Sequence, residues 1–445
     1  MAEHRVQTWR KEMGPSDASR PKTGRRSAGH GRVRRRLATG LASLAALGLG
    51  LVQPRPAAAT AYTPAVAPDT LGVNMQWTFH AGEWGRLGWA PWGAWIRAAH
   101  QWGIDVVRED AQWDLAEPNP PDPTTGQHTY TWSNPGFEWA LDYWVRDLAR
   151  SGIRWQPIID YSASWASSVP GDIDYPPASD AEFAGYARAV AHRYGRNGYF
   201  WKGNPSLPYR PVTTYEIWNE ENLQSFWKSG CDPTAYGHLF VAAATQIHQI
   251  DPYATVVVGG LADGGYNSAS CTAADFATSL EQNTPGVYAA AGGVALHPYG
   301  PYIPDVESAV TAFRQTLDQQ VGVPNIPLYL TEYGWPSSAY AGGGLPETSL
   351  TGAPNRADAI TTTARDLSLS NCLVRNVMIH TWDSPEADHN NPQDWYGIAD
   401  RHLDPLTGQL SLHGSGQAYG NLVIDLEGRG SSPPPYGVVN LCPWR

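Results

Sequence analysis

The sequence predicts an α/β chain folded as a single (β/α)8 TIM barrel, on three observations. Short runs rich in Val, Ile and Leu, as strands buried on both faces tend to be, alternate with longer segments of helical character. There are eight of each in strict alternation. No strand is followed by the glycine-rich phosphate loop that would favour a doubly wound open sheet, the other alternating architecture.

In chain order, strands are expected at residues 71–75, 104–108, 154–160, 213–219, 255–260, 293–297, 327–332 and 376–381. Runs such as Val256-Val257-Val258 and Val377-Met378-Ile379 carry the strand signal. Helices are expected between them, at 91–102, 137–151, 180–194, 233–250, 273–282, 305–319, 356–369 and 414–425. Ser179 followed by Glu182 reads as a capping box, and Gly195 stands where a C-cap glycine belongs. Pro233 suits a first helical turn. Trp95, Trp102 and Trp144 recur at helical spacing and read as core packing. No internal repeat or linker sets off a second module, so residues 62–445 are expected to form one domain with a C-terminal tail.

The first 61 residues read as a leader. Arg32, Arg34, Arg35 and Arg36 precede an apolar run over 37–52 and a small-residue stretch ending Ala59-Thr60-Ala61, the order of a secretory signal peptide. The run has 16 residues, short of the roughly 20 a membrane span needs. The arginines allow a twin-arginine export route. A secreted protein with no stable membrane partner is expected. Residues 1–61 hold 12 of the 31 Lys and Arg but only 3 of the 42 Asp and Glu, which leaves the remainder at −20. So acidic a chain is a poor match for a nucleic acid backbone or an anionic membrane. It is compatible with a neutral polysaccharide. A monomer is expected.

Four cysteines, Cys231, Cys271, Cys372 and Cys442, permit three pairings in an oxidising compartment. Cys231–Cys271 would join loops after neighbouring strands, and Cys372–Cys442 would tether the tail to the last βα unit. No Cys/His spacing suggests zinc, and neither metal nor cofactor is expected.

The chemistry is expected where strands end. Tyr215-Glu216-Ile217-Trp218-Asn219-Glu220 closes the fourth strand, and Leu328-Tyr329-Leu330-Thr331-Glu332 closes the seventh. Barrel enzymes place reacting groups on that face. Two carboxyls there match the needs of glycosidic hydrolysis, in which one protonates the leaving oxygen and the other attacks the sugar or activates water. Glu221 and Glu216 are neighbours without an expected role, Glu216 being either outward or paired inside the barrel. Asp110 and Asp160 also lie near strand ends.

Trp218-Asn219-Glu220 and Thr331-Glu332-Tyr333-Gly334 resemble the signatures of clan A retaining glycoside hydrolases. The run from Ile217 to Leu223 is most similar to family 39, whose usual WNEPNL is altered here by Glu221 in place of proline. His297-Pro298-Tyr299 resembles the His-x-Tyr of family 5. The resemblance implies Glu220 as acid/base and Glu332 as nucleophile. It implies Asn219 on the sugar 2-hydroxyl, Arg108 at the end of strand two keeping the nucleophile ionised, and Tyr299 touching the nucleophile. His297 could bind a hydroxyl, and Trp382 resembles the clan's sugar platform. The chain carries 20 Trp and 22 Tyr, and an indole matches the apolar face of a pyranose. Trp165, Trp227, Trp335 and Trp382 follow strands and are the platform candidates. The loops over 113–132, 162–175 and 335–353 are expected to decide endo or exo action. The polar loop over 383–394 reads as a solvated rim, with calcium as the alternative.

Overall fold

The structure is a computed structural model that describes residues 63–76, 92–133, 140–263, 270–349, 352–403, 407, 409–430 and 436–445. The expected leader lies outside the described residues. Eight strands form a closed barrel in chain order: Leu71–Asn74 (β1), Val106–Gln112 (β2), Arg154–Asp160 (β3), Thr214–Asn219 (β4), Thr255–Asp263 (β5), Gly293–Pro298 (β6), Leu328–Tyr333 (β7) and Val374–Ile379 (β8). Every neighbouring pair is parallel, and β8 closes on β1 through Leu71↔Val377, Gly72↔Met378 and Val73↔Ile379. The apolar runs explain the closure. Residues such as Val256, Val257 and Val258 are fully buried, and a closed sheet leaves no edge for water.

One main helix follows each strand: Trp92–Gln101 (α1), Leu141–Arg150 (α2), Asp180–Tyr194 (α3), Pro233–Ile250 (α4), Ala273–Asn283 (α5), Ile303–Gln315 (α6), Arg356–Ser368 (α7) and Gly414–Leu426 (α8). The start signals work as expected at α4, where Asp232 accepts the Ala235 amide at 3.0 Å and Pro233 occupies the first turn. At α3 only half of the capping box forms. Ser179 Oγ accepts the Glu182 amide at 3.4 Å, while the Glu182 carboxylate lies 3.3 Å from His128. Gly195 does end α3, but its φ is −69°, not left-handed. Close approach requires it, since a Cβ there would lie 2.5 Å from the Ala191 carbonyl oxygen.

Two departures bear on the site. Strand β2 runs on to Gln112, so Arg108 is mid-strand and not terminal, and its side chain lies inside the barrel. The β8–α8 connection carries an unexpected antiparallel hairpin, Ala399–Leu403 (β9) with Leu410–Leu412 (β10). Fully buried Arg356 ties this region together. It donates to the carbonyls of Trp335 and Gly397, both at 2.7 Å, to that of Tyr396, and to Glu347 at 2.8 Å. One guanidinium thus joins the chain after β7 to the chain after β8. Cys231–Cys271 and Cys372–Cys442 are disulfide-bonded. Among the described residues no helix is long and apolar enough to cross a membrane.

Candidate active site

The site grows from Arg108. Its guanidinium is 1% exposed, and a guanidinium has five N–H donors in a fixed fork. All five are used. Nε and Nη2 hold the two oxygens of Glu216 at 2.9 and 2.8 Å. Nη1 reaches Asn74 Oδ1 at 2.9 Å and Glu332 Oε1 at 2.7 Å, and Nη2 reaches Asn219 Oδ1 at 2.8 Å. Asn74 in turn donates to the carbonyls of Thr331 at 2.8 Å and Ile379 at 3.3 Å. The network therefore joins β1, β2, β4, β7 and β8 inside the barrel. Glu216, whose direction the sequence left open, is paired in the interior.

Glu332 sits above this layer with its side chain 11% exposed. Its second oxygen accepts the Tyr299 hydroxyl at 2.9 Å. Burial alone pushes its carboxyl up, but the positive potential of His297, His380 and Arg108, with the Tyr299 bond, reverses this and brings it down to about 2. The Tyr299 hydroxyl is driven the other way, well above a phenol's usual range, by burial and by Glu332.

Glu220 follows β4 directly, with φ +49°, and its amide donates to Gly260 O at 3.0 Å. The turn is buttressed from β5 by Asn222, whose side chain bonds the Ala262 amide at 2.9 Å and the carbonyls of Ala262 and Cys271 at 2.9 and 2.8 Å. The Cys231–Cys271 disulfide closes the same junction. Glu220 Oε1 lies 2.9 Å from His297 Nδ1, and His297 Nε2 lies 3.1 Å from Thr331 Oγ1. Thr331 sends its own proton to Glu216 at 3.2 Å. His297 Nε2 must then donate to Thr331, and a neutral ring has only a lone pair left at Nδ1. The Glu220–His297 contact thus holds a proton in either assignment. An oxygen of Glu220, an oxygen of Glu332 and a ring nitrogen of His297 all lie within 4.8 Å of one another. These three could hold a cation, but Arg108 already neutralises Glu332 from below.

Sequence reading missed His380, at the end of β8. Its ring is 4% exposed, its Nδ1 lies 3.6 Å from Glu332 Oε2, and its Nε2 lies 2.9 Å from Gln393 Oε1. It also missed Asn74. Asn74 has no local signal, because the carbonyls it holds lie 257 and 305 positions away, and His380 carries no motif of its own beside the strand end it follows.

The candidate platforms are set back. Trp335 and Trp382 are only 4% and 1% exposed, and the Trp335 indole is committed to Pro301 O at 3.1 Å. Trp227 is packed edge-on against Trp218 at 4.9 Å, whereas Trp165 is half-buried and donates to Glu117 O at 3.0 Å. Asp160 is buried at the end of β3, and Asp110 is buried within β2, which runs two residues further. In the loop over 383–394, Asp388 and Asp394 accept bonds from within that loop, including the Asn390 amide at 2.9 Å and the Asp388 amide at 2.9 Å. This internal wiring suits a folded rim.

Solved structures share this architecture at low sequence identity. A family 39 glycoside hydrolase from the gut symbiont Bacteroides cellulosilyticus is 16% identical, with a TM-score of 0.53, over 81% of this chain and 64% of its own. A family 39 β-xylosidase from Caulobacter crescentus is 20% identical, with a TM-score of 0.53, over 81% of this chain and 72% of its own. An exo-β-1,4-mannosidase from an Opitutaceae bacterium is 14% identical, with a TM-score of 0.50, over 84% of this chain and 64% of its own. The chain thus spans about two thirds of the length of these proteins. At such identity the likeness establishes the fold, a (β/α)8 barrel. No family model matches the chain, and no curated protein matches it in sequence.

Proposed function

We propose that the chain is a glycoside hydrolase that cleaves β-linked sugars with retention of anomeric configuration, through a glycosyl-enzyme intermediate. The observation that carries this is the close pair of carboxyls at the C-terminal end of the barrel, in which one oxygen of Glu220 lies within 4.8 Å of one oxygen of Glu332. Retaining enzymes hold their carboxyl groups roughly 5–5.5 Å apart, and inverting enzymes, which must fit a water between, hold them about 6.5–9.5 Å apart.

The two carboxyls are differently provided for, as the two roles require. Glu332 is held ionised by Arg108 and Tyr299 and suits attack on the anomeric carbon. The bond between sugar and leaving oxygen breaks as the Glu332–sugar ester forms. Glu220 gives its proton to the departing oxygen, then takes one from the water that breaks the ester. The chain Glu216–Thr331–His297 fixes where that proton waits. Asn219, bonded to Arg108, is placed to meet a hydroxyl beside the reacting carbon. The mature protein is proposed to be exported, which fits the two disulfides. Xyloside and mannoside specificities occur among proteins of similar architecture, so both belong in the first panel.

The test is a panel of aryl β-glycosides and defined polysaccharides, with Glu332→Gln as control. Release of aglycone by the wild type, lost in a folded Glu332→Gln, supports the reading. Near-normal turnover by Glu332→Gln removes Glu332 from the mechanism.

A further inference from the structure

We infer that Glu221 is a positioning residue that works as a neutral carboxylic acid, locked in the layer between β4–β5 and α4, where its proton secures the turn that presents Glu220. The positioning role rests on the acid role proposed for Glu220; the neutrality does not.

Two consecutive glycines of β5 show where the two glutamates go. A Cβ on Gly260 would lie 2.0 Å from His297 Nε2, inside the barrel, in the ring that meets Glu220. A Cβ on Gly259 would lie 2.4 Å from Glu221 Oε2, on the opposite face of the strand. The neighbouring carboxyls thus point to opposite faces, Glu220 toward the site and Glu221 toward α4. The residue at 221 is fully buried. The layer that receives it is aromatic, with Trp227, Tyr236 and Phe276 packed at centroid distances of 6.0 and 5.6 Å.

The groups that act on this carboxyl bring no positive charge. Its titratable neighbours are Glu216 from β4, Glu220 just after it, Tyr236 from α4 and Tyr288 from the turn Val287–Ala290, all acidic or neutral. Gly259 contributes no charge, and the Arg108 guanidinium is spent on Glu216 inside the barrel. Tyr236 donates its only proton to Ile217 O at 2.8 Å and accepts the Gly259 amide at 2.8 Å. Its oxygen has one lone pair left and no proton to give. A protonated Glu221 can donate to that lone pair, whereas an ionised one gains nothing from Tyr236 and keeps only its own backbone amide as a donor. Burial pushes this carboxyl well above its usual range, and the negative neighbours add to the effect.

The turn is where the proton acts. Trp218 and Glu220 both have positive φ, at +67° and +49°, a conformation that non-glycine residues hold only when the surroundings enforce it. Tyr236 bonds both β4 and β5 at this level, and a proton on Glu221 would tie the next residue to the same hydroxyl. Loss of the proton leaves an unpaired charge in an aromatic layer, so the turn opens and Glu220 leaves His297.

The experiment uses the full chain and Glu221→Gln, which is neutral, close in shape and still a donor. Urea unfolding followed by tryptophan fluorescence is measured from pH 5 to 9. A proton bound in the folded state and absent from the unfolded one makes stability fall as pH rises above the ordinary carboxyl range, by up to about tenfold in the unfolding constant per pH unit. The ratio of wild-type to Glu221→Gln unfolding constants is therefore expected to climb with pH. A flat ratio overturns the inference. If Glu221→Gln does not fold, Glu221→Met, neutral and of similar length, takes its place in the same comparison. The second readout is kcat/KM on an aryl β-glycoside, where the alkaline limb is expected to move to higher pH in Glu221→Gln. An unmoved limb beside a climbing ratio overturns the positioning role. The unfolding arm needs no substrate, so failure of the glycosidase reading leaves the neutrality of Glu221 separately decided.

Discussion

Replacing Arg108 by lysine keeps the charge and destroys the fork. The five acceptors around the guanidinium, two on Glu216 and one each on Asn74, Asn219 and Glu332, all lie at 2.7–2.9 Å. An ammonium offers three donors, so at least two buried acceptors lose their partner. Each costs about 1–3 kcal/mol, so Arg108→Lys should destabilise by about 2–6 kcal/mol. Most of that range lies below a total of roughly 5–15 kcal/mol, so the variant is expected to fold with a large drop in its urea midpoint. A second readout follows from Glu332, whose carboxyl Arg108 helps hold at about 2. Its folded value is depressed, so it contributes stability that is present above its unfolded value, near 4.5, and is lost as pH falls toward 2. A lysine drawn to Glu216 abandons Glu332, whose carboxyl rises. The acid limb of kcat/KM then moves to higher pH. The assay is urea unfolding at pH 7 beside a pH–rate profile. A change below about 0.5 kcal/mol with an unmoved acid limb would refute the claim that the fork organises the site.

Three further outcomes are expected. Glu220→Ala should slow substrates with poor leaving groups far more than activated aryl glycosides, which need no proton; equal losses in kcat on both would argue against an acid role. His413 lies 2.9 Å from Asp400 and 3.2 Å from Glu386, and although burial pulls it down, these carboxylates raise it to about 9. Its contribution is full below about pH 6.5 and is lost as pH rises through 9, so the melting-temperature gap between wild type and His413→Asn should shrink across that window. Replacing both Cys231 and Cys271 by serine opens a 40-residue loop and should cost about 2–4 kcal/mol in the same unfolding assay, while an unchanged midpoint would mean the bridge adds nothing.

What the sequence reveals and what it hides follow from the range of the interactions. The barrel is legible because its signal is local: apolar runs such as Val256–Val258 and caps such as Asp232-Pro233 act within a few residues. Glu220 and Glu332 are legible because a strand end is a local feature that topology then brings together. Asn74 is not, since the carbonyls it holds lie 257 and 305 positions along the chain, and His380 is not, since its partners Glu332 and Gln393 sit in separate segments that only the fold brings beside it. The hairpin β9–β10 escapes for another reason: its strands have only 5 and 3 residues, too few for an alternation to stand out. Glu216 and Glu221 differ by five positions and look alike in sequence, yet one is paired with arginine inside the barrel and the other is buried against α4. A strand end with two residues at positive φ decides this, and no periodicity foretells it.

The central claim is double displacement by Glu332 and Glu220, and stereochemistry tests it most directly. Proton NMR of the sugar first released from an aryl β-glycoside, recorded before mutarotation, reads the anomeric configuration. The close carboxyl pair predicts the β anomer. The α anomer as first product would mean that water attacks directly, and would contradict the account.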